Sequence, residues 1–142
     1  MPLPLEEREA FLAEPHIGAL AVARAEAGRA PLTVPIWYWY EPGGTFWIMT
    51  GRDSAKAKAI RAAGRISLMT ERVEPTVRYV TAEGPVTSEV TSTVTELNDL
   101  AARYLPADKV DEYVKTATAE HGAQVTFHIR PEHWLSADLG SV

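Results

Sequence analysis

Leu32-Thr-Val-Pro-Ile-Trp-Tyr-Trp-Tyr40, Glu41-Pro-Gly-Gly44 and Thr45-Phe-Trp-Ile-Met-Thr50 follow one another without a break. The flanking runs are dense in β-branched and aromatic residues, and Pro-Gly-Gly between them is a turn signal, so residues 32–50 are predicted as a β-hairpin with a short loop. Alternation puts Val34, Ile36, Tyr38 and Tyr40 on one face and Pro35, Trp37 and Trp39 on the other. A strand aromatic on both faces is either buried on both or uses one to line a pocket for a flat ligand. Both readings stay open at this point. Pro35 lacks an amide proton, which implies an edge strand or an interrupted ladder. An interrupted ladder would leave backbone groups for a heterocycle.

Working outward, Leu5–Ala13 reads as a short helix with Leu5, Phe11 and Leu12 inward, stopped before Pro15. Gly18–Arg24 is small and apolar, as in a buried strand. After the hairpin, Gly51-Arg-Asp-Ser54 reads as a loop with an N-cap at Asp53 or Ser54, opening a helix over 55–63 that Gly64 stops. Two strands follow, Arg65–Glu71 and Thr76–Glu89, with Gly84-Pro85 as a bulge or bend in the second. Thr93-Val-Thr-Glu96 is a capping box for a helix presenting Val94, Leu97, Ala101 and Tyr104 on one face. A further helix from Pro106 presents Val110, Tyr113, Val114 and Ala117 and ends at Gly122. Gln124–Arg130 alternates as a half-buried strand, and a last strand lies around Trp134-Leu-Ser136. Six or seven strands in consecutive hairpins, with short helices inserted, point to an α+β, mainly β, antiparallel barrel in one domain over 1–142.

The 142 residues suit one core. A net charge of −5 argues against nucleic acid or an anionic membrane as partner. There is no cysteine, which excludes disulfides, thiolate metal sites and cysteine nucleophiles. No run approaches the ~20 apolar residues of a membrane span, and the first residues do not form a signal peptide, so a cytoplasmic location is expected. His16, His121, His128 and His133 are scattered without metal-ligand spacing, and no metal is expected. GxSxG, GxGxxG and Walker patterns are absent.

The chemistry-bearing stretch is Gly51–Arg65. Ser54, Lys56 and Lys58 sit directly after a strand at the opening of a helix, where free N–H groups, a hydroxyl and ammonium groups attract phosphate. Arg52 can join them, with Arg61 and Arg65 further along. A solvated basic helix is the alternative. The carboxylates are dispersed and form no acid–base pair. An enzyme with no evident side-chain catalyst would draw its chemistry from a cofactor.

The order of these motifs resembles the pyridoxamine 5′-phosphate oxidase-like superfamily, the flavin and deazaflavin oxidoreductases built on a split β-barrel. The resemblance runs from Phe11-Leu-Ala-Glu-Pro-His-Ile-Gly18 to Trp134-Leu-Ser-Ala-Asp138. It is carried by Val34-Pro35-Ile36-Trp37, by Phe46-Trp-Ile-Met-Thr-Gly51 running into Ser54-Ala-Lys56-Ala-Lys58-Ala-Ile60-Arg61, by Arg65–Met69 and by Arg78–Gly84. It implies a homodimer with two cofactor sites at the interface. The cofactor ring would lie against Val34, Pro35, Ile36, Trp37, Met49 and Thr50. Ser54 and Lys56 would grip the phosphate, assisted by Arg52 and Lys58. Two departures stand out: Ala59 beside Ile60 where many relatives carry Asn, and Arg61-Ala-Ala-Gly-Arg65 in place of a richer basic exit. The pyridoxal-phosphate-binding C-terminal region of the true oxidases is not apparent, so that reaction is not assigned.

The function this implies is hydride transfer between reduced coenzyme F420 (an 8-hydroxy-5-deazaflavin) or FMN and a conjugated small-molecule substrate. The number of basic groups around one helix start leans toward the longer, acidic tail of F420. Tyr38, Tyr40 and Tyr79 are proton-donor candidates by residue type. The rival is a non-catalytic split barrel that binds flavin or haem, with the four histidines as candidate haem ligands.

Overall fold

The computed structural model describes residues 2–120 and 122–140. Eight strands and four helices follow in the order α1 (Leu5–Ala13), β1 (Gly18–Val22), β2 (Leu32–Ile36), β3 (Trp39–Tyr40), β4 (Phe46–Gly51), α2 (Ala55–Ala63), β5 (Arg65–Arg72), β6 (Val77–Thr91), α3 (Val94–Tyr104), α4 (Ala107–Glu120), β7 (Gln124–Ile129) and β8 (His133–Gly140). All pairings are antiparallel, in the order β2-β1-β5-β6-β7-β4-β3, with β8 also on β6. β2 and β3 end this order on opposite sides, yet only Trp37 and Tyr38 separate them in sequence. The sheet must therefore curl until its two ends meet, which gives the split half-barrel.

Residues 32–40 are thus not one strand. β2 pairs with β1 (Val34 opposite Leu20), and only Trp39 and Tyr40 form the expected hairpin, opposite Trp47 and Phe46. Side-chain alternation survives the break. Ile36, Tyr38 and Tyr40 are buried, while Pro35 faces out from the edge strand its missing amide requires. At the break the Tyr38 N–H donates to the Tyr104 hydroxyl at 3.2 Å, and that hydroxyl lies 3.1 Å from the Tyr38 carbonyl. A phenol from α3 thus stands in for a strand partner, and these backbone groups are not left for a ligand.

The core lies inside the curl. Leu20, Ile48, Leu68, Val80, Phe127 and Ile129 meet there, closed by Phe11 and Leu12 of α1 and by Ala57 and Ile60 of α2. Leu5 and Val94, expected to face inward, are more than half exposed at 52% and 64%. Each sits in the first turn of its helix, ahead of the part that packs. At the far end of α1, Arg103 donates to the carbonyls of Ala13 (2.9 Å) and Glu14 (2.8 Å) and lies over the Tyr38 ring, neutralising the negative helix terminus.

β6 carries the bend. Its residues 77–83 pair with β8 and 86–91 with β7, and the change of partner falls at Gly84. A Cβ there would overlap the Arg130 carbonyl oxygen. The predicted bend is correct. The register shift itself falls between Val86 and Ser88, beyond Gly84-Pro85. No helix among the described residues is long and apolar enough to cross a membrane.

Candidate functional site

α2 starts where β4 ends, and the local chemistry fixes that start. The Ser54 hydroxyl accepts from the Ala57 N–H at 3.1 Å and lies 3.0 Å from the Thr50 hydroxyl, tying the cap to the end of β4. Of the two cap candidates, Ser54 serves, and Gly64 closes the helix in the left-handed conformation (φ 69°). The first N–H groups of α2 therefore point to one side of the β4 terminus, the positive end of the helix dipole.

Beside this terminus lies an open cleft of about 440 Å³. Its floor is Pro35 and Ile36 from the β2 edge, Trp37 from the break that follows, and Met49, Thr50 and Gly51 from β4. Ser54 and Lys56 line its α2 end. Gln124 opens β7 at the same level, and Leu97, Leu100, Tyr113 and Ala117 of the α3–α4 hairpin form the opposite wall. Seven of the ten expected residues thus share one cleft: Pro35, Ile36, Trp37, Met49, Thr50, Ser54 and Lys56.

The other three lie elsewhere. Val34 is on the core-facing side of β2 and borders a groove on the outer sheet face. Lys58 faces a separate groove across α2, and Arg52 lines neither depression, its N–H donating to the Ala123 carbonyl at 3.0 Å. Arg61 and Arg65 are already engaged. Arg61 makes a two-pronged pair with Glu89 (2.9 and 2.8 Å), and Arg65 reaches Glu132 at 2.8 Å. Hydrogen bonding to Arg61 holds the Glu89 carboxyl below its ordinary range, and bonds from Arg65 and then Arg130 do the same for Glu132. The excess of basic groups that favoured an elongated tail loses two members here.

The α3–α4 wall was not read from the sequence. The sequence places Leu97, Tyr113 and Ala117 on apolar helix faces and gives no sign that a cleft lies against them. Periodicity reports that a face is apolar, not whether protein or ligand covers it. Trp37 stacks on Tyr104 at 4.9 Å (11°) and meets Tyr113 at 5.2 Å (41°), so the expected ring-facing indole is held by the hairpin.

The proton-donor candidates lie outside the cleft. Tyr38 is buried and donates to the Leu12 carbonyl at 2.6 Å; burial pushes its phenol well up. Tyr40 donates to Glu9 at 3.0 Å and is pushed up to about 12, by burial first and this bond second. Tyr79 sits on β6 between Glu71 and Ala137. Tyr113 is the tyrosine that lines the cleft. His16 stacks on Phe11 at 4.2 Å, His128 lies near Thr45 at 3.5 Å, and His133 opens β8; none of these three lines the cleft. His121 is outside the described residues.

The family model for pyridoxamine 5′-phosphate oxidase matches residues 4–137. Among solved structures, one called F420 reductase shares 22% identity, covering 89% of this chain and 94% of its own, with a TM-score of 0.70. A conserved hypothetical protein from Mycobacterium tuberculosis shares 24% over 96% of this chain and 85% of its own, TM-score 0.71. A FAD-binding protein from Mesorhizobium loti shares 20% over 97% and 95%, TM-score 0.65. Likeness at these identities establishes the shared fold. No curated protein matches.

Proposed function

The chain belongs to the pyridoxamine 5′-phosphate oxidase family, and from that premise we propose that the cleft beside α2 holds a flavin-type cofactor and serves an oxidoreductase. The observation that carries the reading is the joining, in one cleft of about 440 Å³, of an apolar wall with the open start of a nine-residue helix bearing Ser54 and Lys56. That volume lies within the usual range for cofactor pockets, and a flat ring with a phosphate at one end fits such a lining.

Pro35, Ile36, Trp37 and Met49 would hold the ring, and the α3–α4 wall would exclude water from it. The α2 N–H groups and the Lys56 ammonium would hold the phosphate, with Ser54 fixing the helix start. When bound, such a cofactor supplies hydride chemistry to a conjugated small molecule. The chain's own part is then positioning, which needs no strong acid or base. FMN and F420 both satisfy the lining.

We further propose a homodimer. Ile17, Leu135 and Leu139 are exposed by more than half on the outer sheet face. Strand register there sets Pro35, Ala19, Met69, Thr81 and Leu135 in one row. Pro35 belongs both to that face and to the cleft, so a partner docked on the row would border the cofactor.

Titration with FMN and with F420, followed by ring fluorescence, tests the cofactor reading. One of them is expected to bind at micromolar concentration, and Lys56→Ala to weaken it about tenfold, the scale of one charge-assisted bond. Binding of neither would overturn the reading. A Soret band on haem addition would then favour the haem-binding alternative.

A further inference from the structure

The two sides of the cleft differ in kind. With a cofactor ring on the floor formed by Pro35–Trp37 and Met49, a substrate has to take the ring's other face, against the α3–α4 wall. Leu97, Leu100 and Ala117 make that wall apolar, and Tyr113 adds a ring 5.2 Å from Trp37. The polar side chains of the lining, Thr50, Ser54, Gln124 and Tyr113, are uncharged, and Lys56 is the one ion among the described lining residues. Thr50 and Ser54 are turned to each other at 3.0 Å. Once a phosphate has taken Lys56, no lining group is left to neutralise a charge on a second molecule. A charge desolvated against such a wall without a partner is costly. The hairpin is also acidic. Glu96, Asp99, Asp108, Asp111, Glu112 and Glu120 outnumber Arg103, Lys109 and Lys115 along it, and Arg103 is spent on carbonyls of α1. That field repels anions at the mouth.

We infer that the cleft selects its substrate by charge: it takes a flat, uncharged molecule, and the wall of Leu97, Leu100, Tyr113 and Ala117 rejects an ionic one. The inference rests on the cofactor reading above and deepens it by naming the substrate class. Phosphorylated and carboxylated substrates are excluded, because their anionic groups find Lys56 already occupied. A cation gains from the acidic hairpin outside but loses its water against the same apolar wall. Leu97 is half-buried on that wall, so a side chain placed there meets whatever the cleft holds.

Equilibrium dialysis of the protein loaded with oxidised FMN or F420 tests this, using three flat two-ring probes: naphthoquinone, naphthoquinone sulfonate and N-methylquinolinium. No reductant is present, so binding is read without turnover, and the chain has no cysteine that could add to the quinone. Naphthoquinone is expected to bind at least about tenfold more tightly than either ion. The preference should persist in high salt, since it is a cost of burial; one that vanishes there belongs to the hairpin's surface field and overturns the role of the wall. Leu97→Lys supplies the missing countercharge on a stem that can keep to the wall. It should tighten the sulfonate about tenfold and leave naphthoquinone within about threefold. Circular dichroism and unchanged cofactor loading check that this variant is intact, and the three-probe comparison on wild type stands without it. Either ion bound within about threefold of naphthoquinone, no naphthoquinone bound, or a sulfonate no tighter on folded Leu97→Lys would overturn the inference. Cofactor loading in those cases leaves the cleft reading standing alone. If neither cofactor loads, both fall.

Discussion

Asp138 on β8 collects the Thr76 hydroxyl at 2.7 Å, the Gly140 N–H at 2.9 Å and Arg78 Nε at 2.9 Å. These bonds, the Thr76 one foremost, hold its carboxyl down to about 2. Since the folded value lies below the ordinary one of about 4, the ionised form adds stability that is complete above about pH 4 and lost as pH falls toward 2. Asp138→Asn is therefore expected to flatten the fall in melting temperature between about pH 4 and pH 2. An unchanged acid limb would contradict this. At this scale Ser54 and Lys56 were legible because a hydroxyl and a cation after a strand have a local meaning. The Arg61–Glu89 and Arg65–Glu132 pairs were not, because partners 28 and 67 residues apart leave no local sign of each other.

Among the elements, the capping box at Thr93–Glu96 and the glycine stop at Gly64 appear as expected, since both depend on contacts within four residues. β6 differs: its bend depends on the crossing of Arg130–Glu132 behind Gly84. The Glu132 N–H donates to the Glu83 carbonyl at 2.8 Å and the Arg130 N–H to the Pro85 carbonyl at 3.1 Å, clamping Gly84 between them. A methyl at 84 would meet backbone, which cannot swing away as a side chain can. Gly84→Ala is expected to cost about 3 kcal/mol, a fall of roughly 10 °C in melting temperature for a chain of this size. A fall under about 2 °C in a thermal melt would show that the crossing relaxes freely. The division of residues 32–40 between two sheet edges belongs here too, because alternation is identical in one long strand and in two short ones in line.

At the scale of the whole molecule, the outer-face row ending in Leu135 is the expected dimer contact. Leu135→Asp places a charge where an apolar face would be buried, so it should shift the light-scattering mass from dimer toward monomer at micromolar concentration while leaving circular dichroism unchanged. A monomeric wild type, or an unmoved mass in the variant, would remove the dimer and the shared site with it. What the amino-acid order alone determined was the antiparallel mainly-β class, the hairpin at Pro42-Gly43-Gly44, and a serine-capped helix start after β4. Each is written in side-chain period, turn chemistry or capping within a few neighbouring residues. Only the tertiary structure decided which cations are already paired, that the α3–α4 hairpin walls the cleft, and that Tyr104 fills the break at Tyr38. Those outcomes depend on where the curl of the sheet brings distant segments together. Such closure depends on the packing of the whole core and leaves no local pattern in the chain.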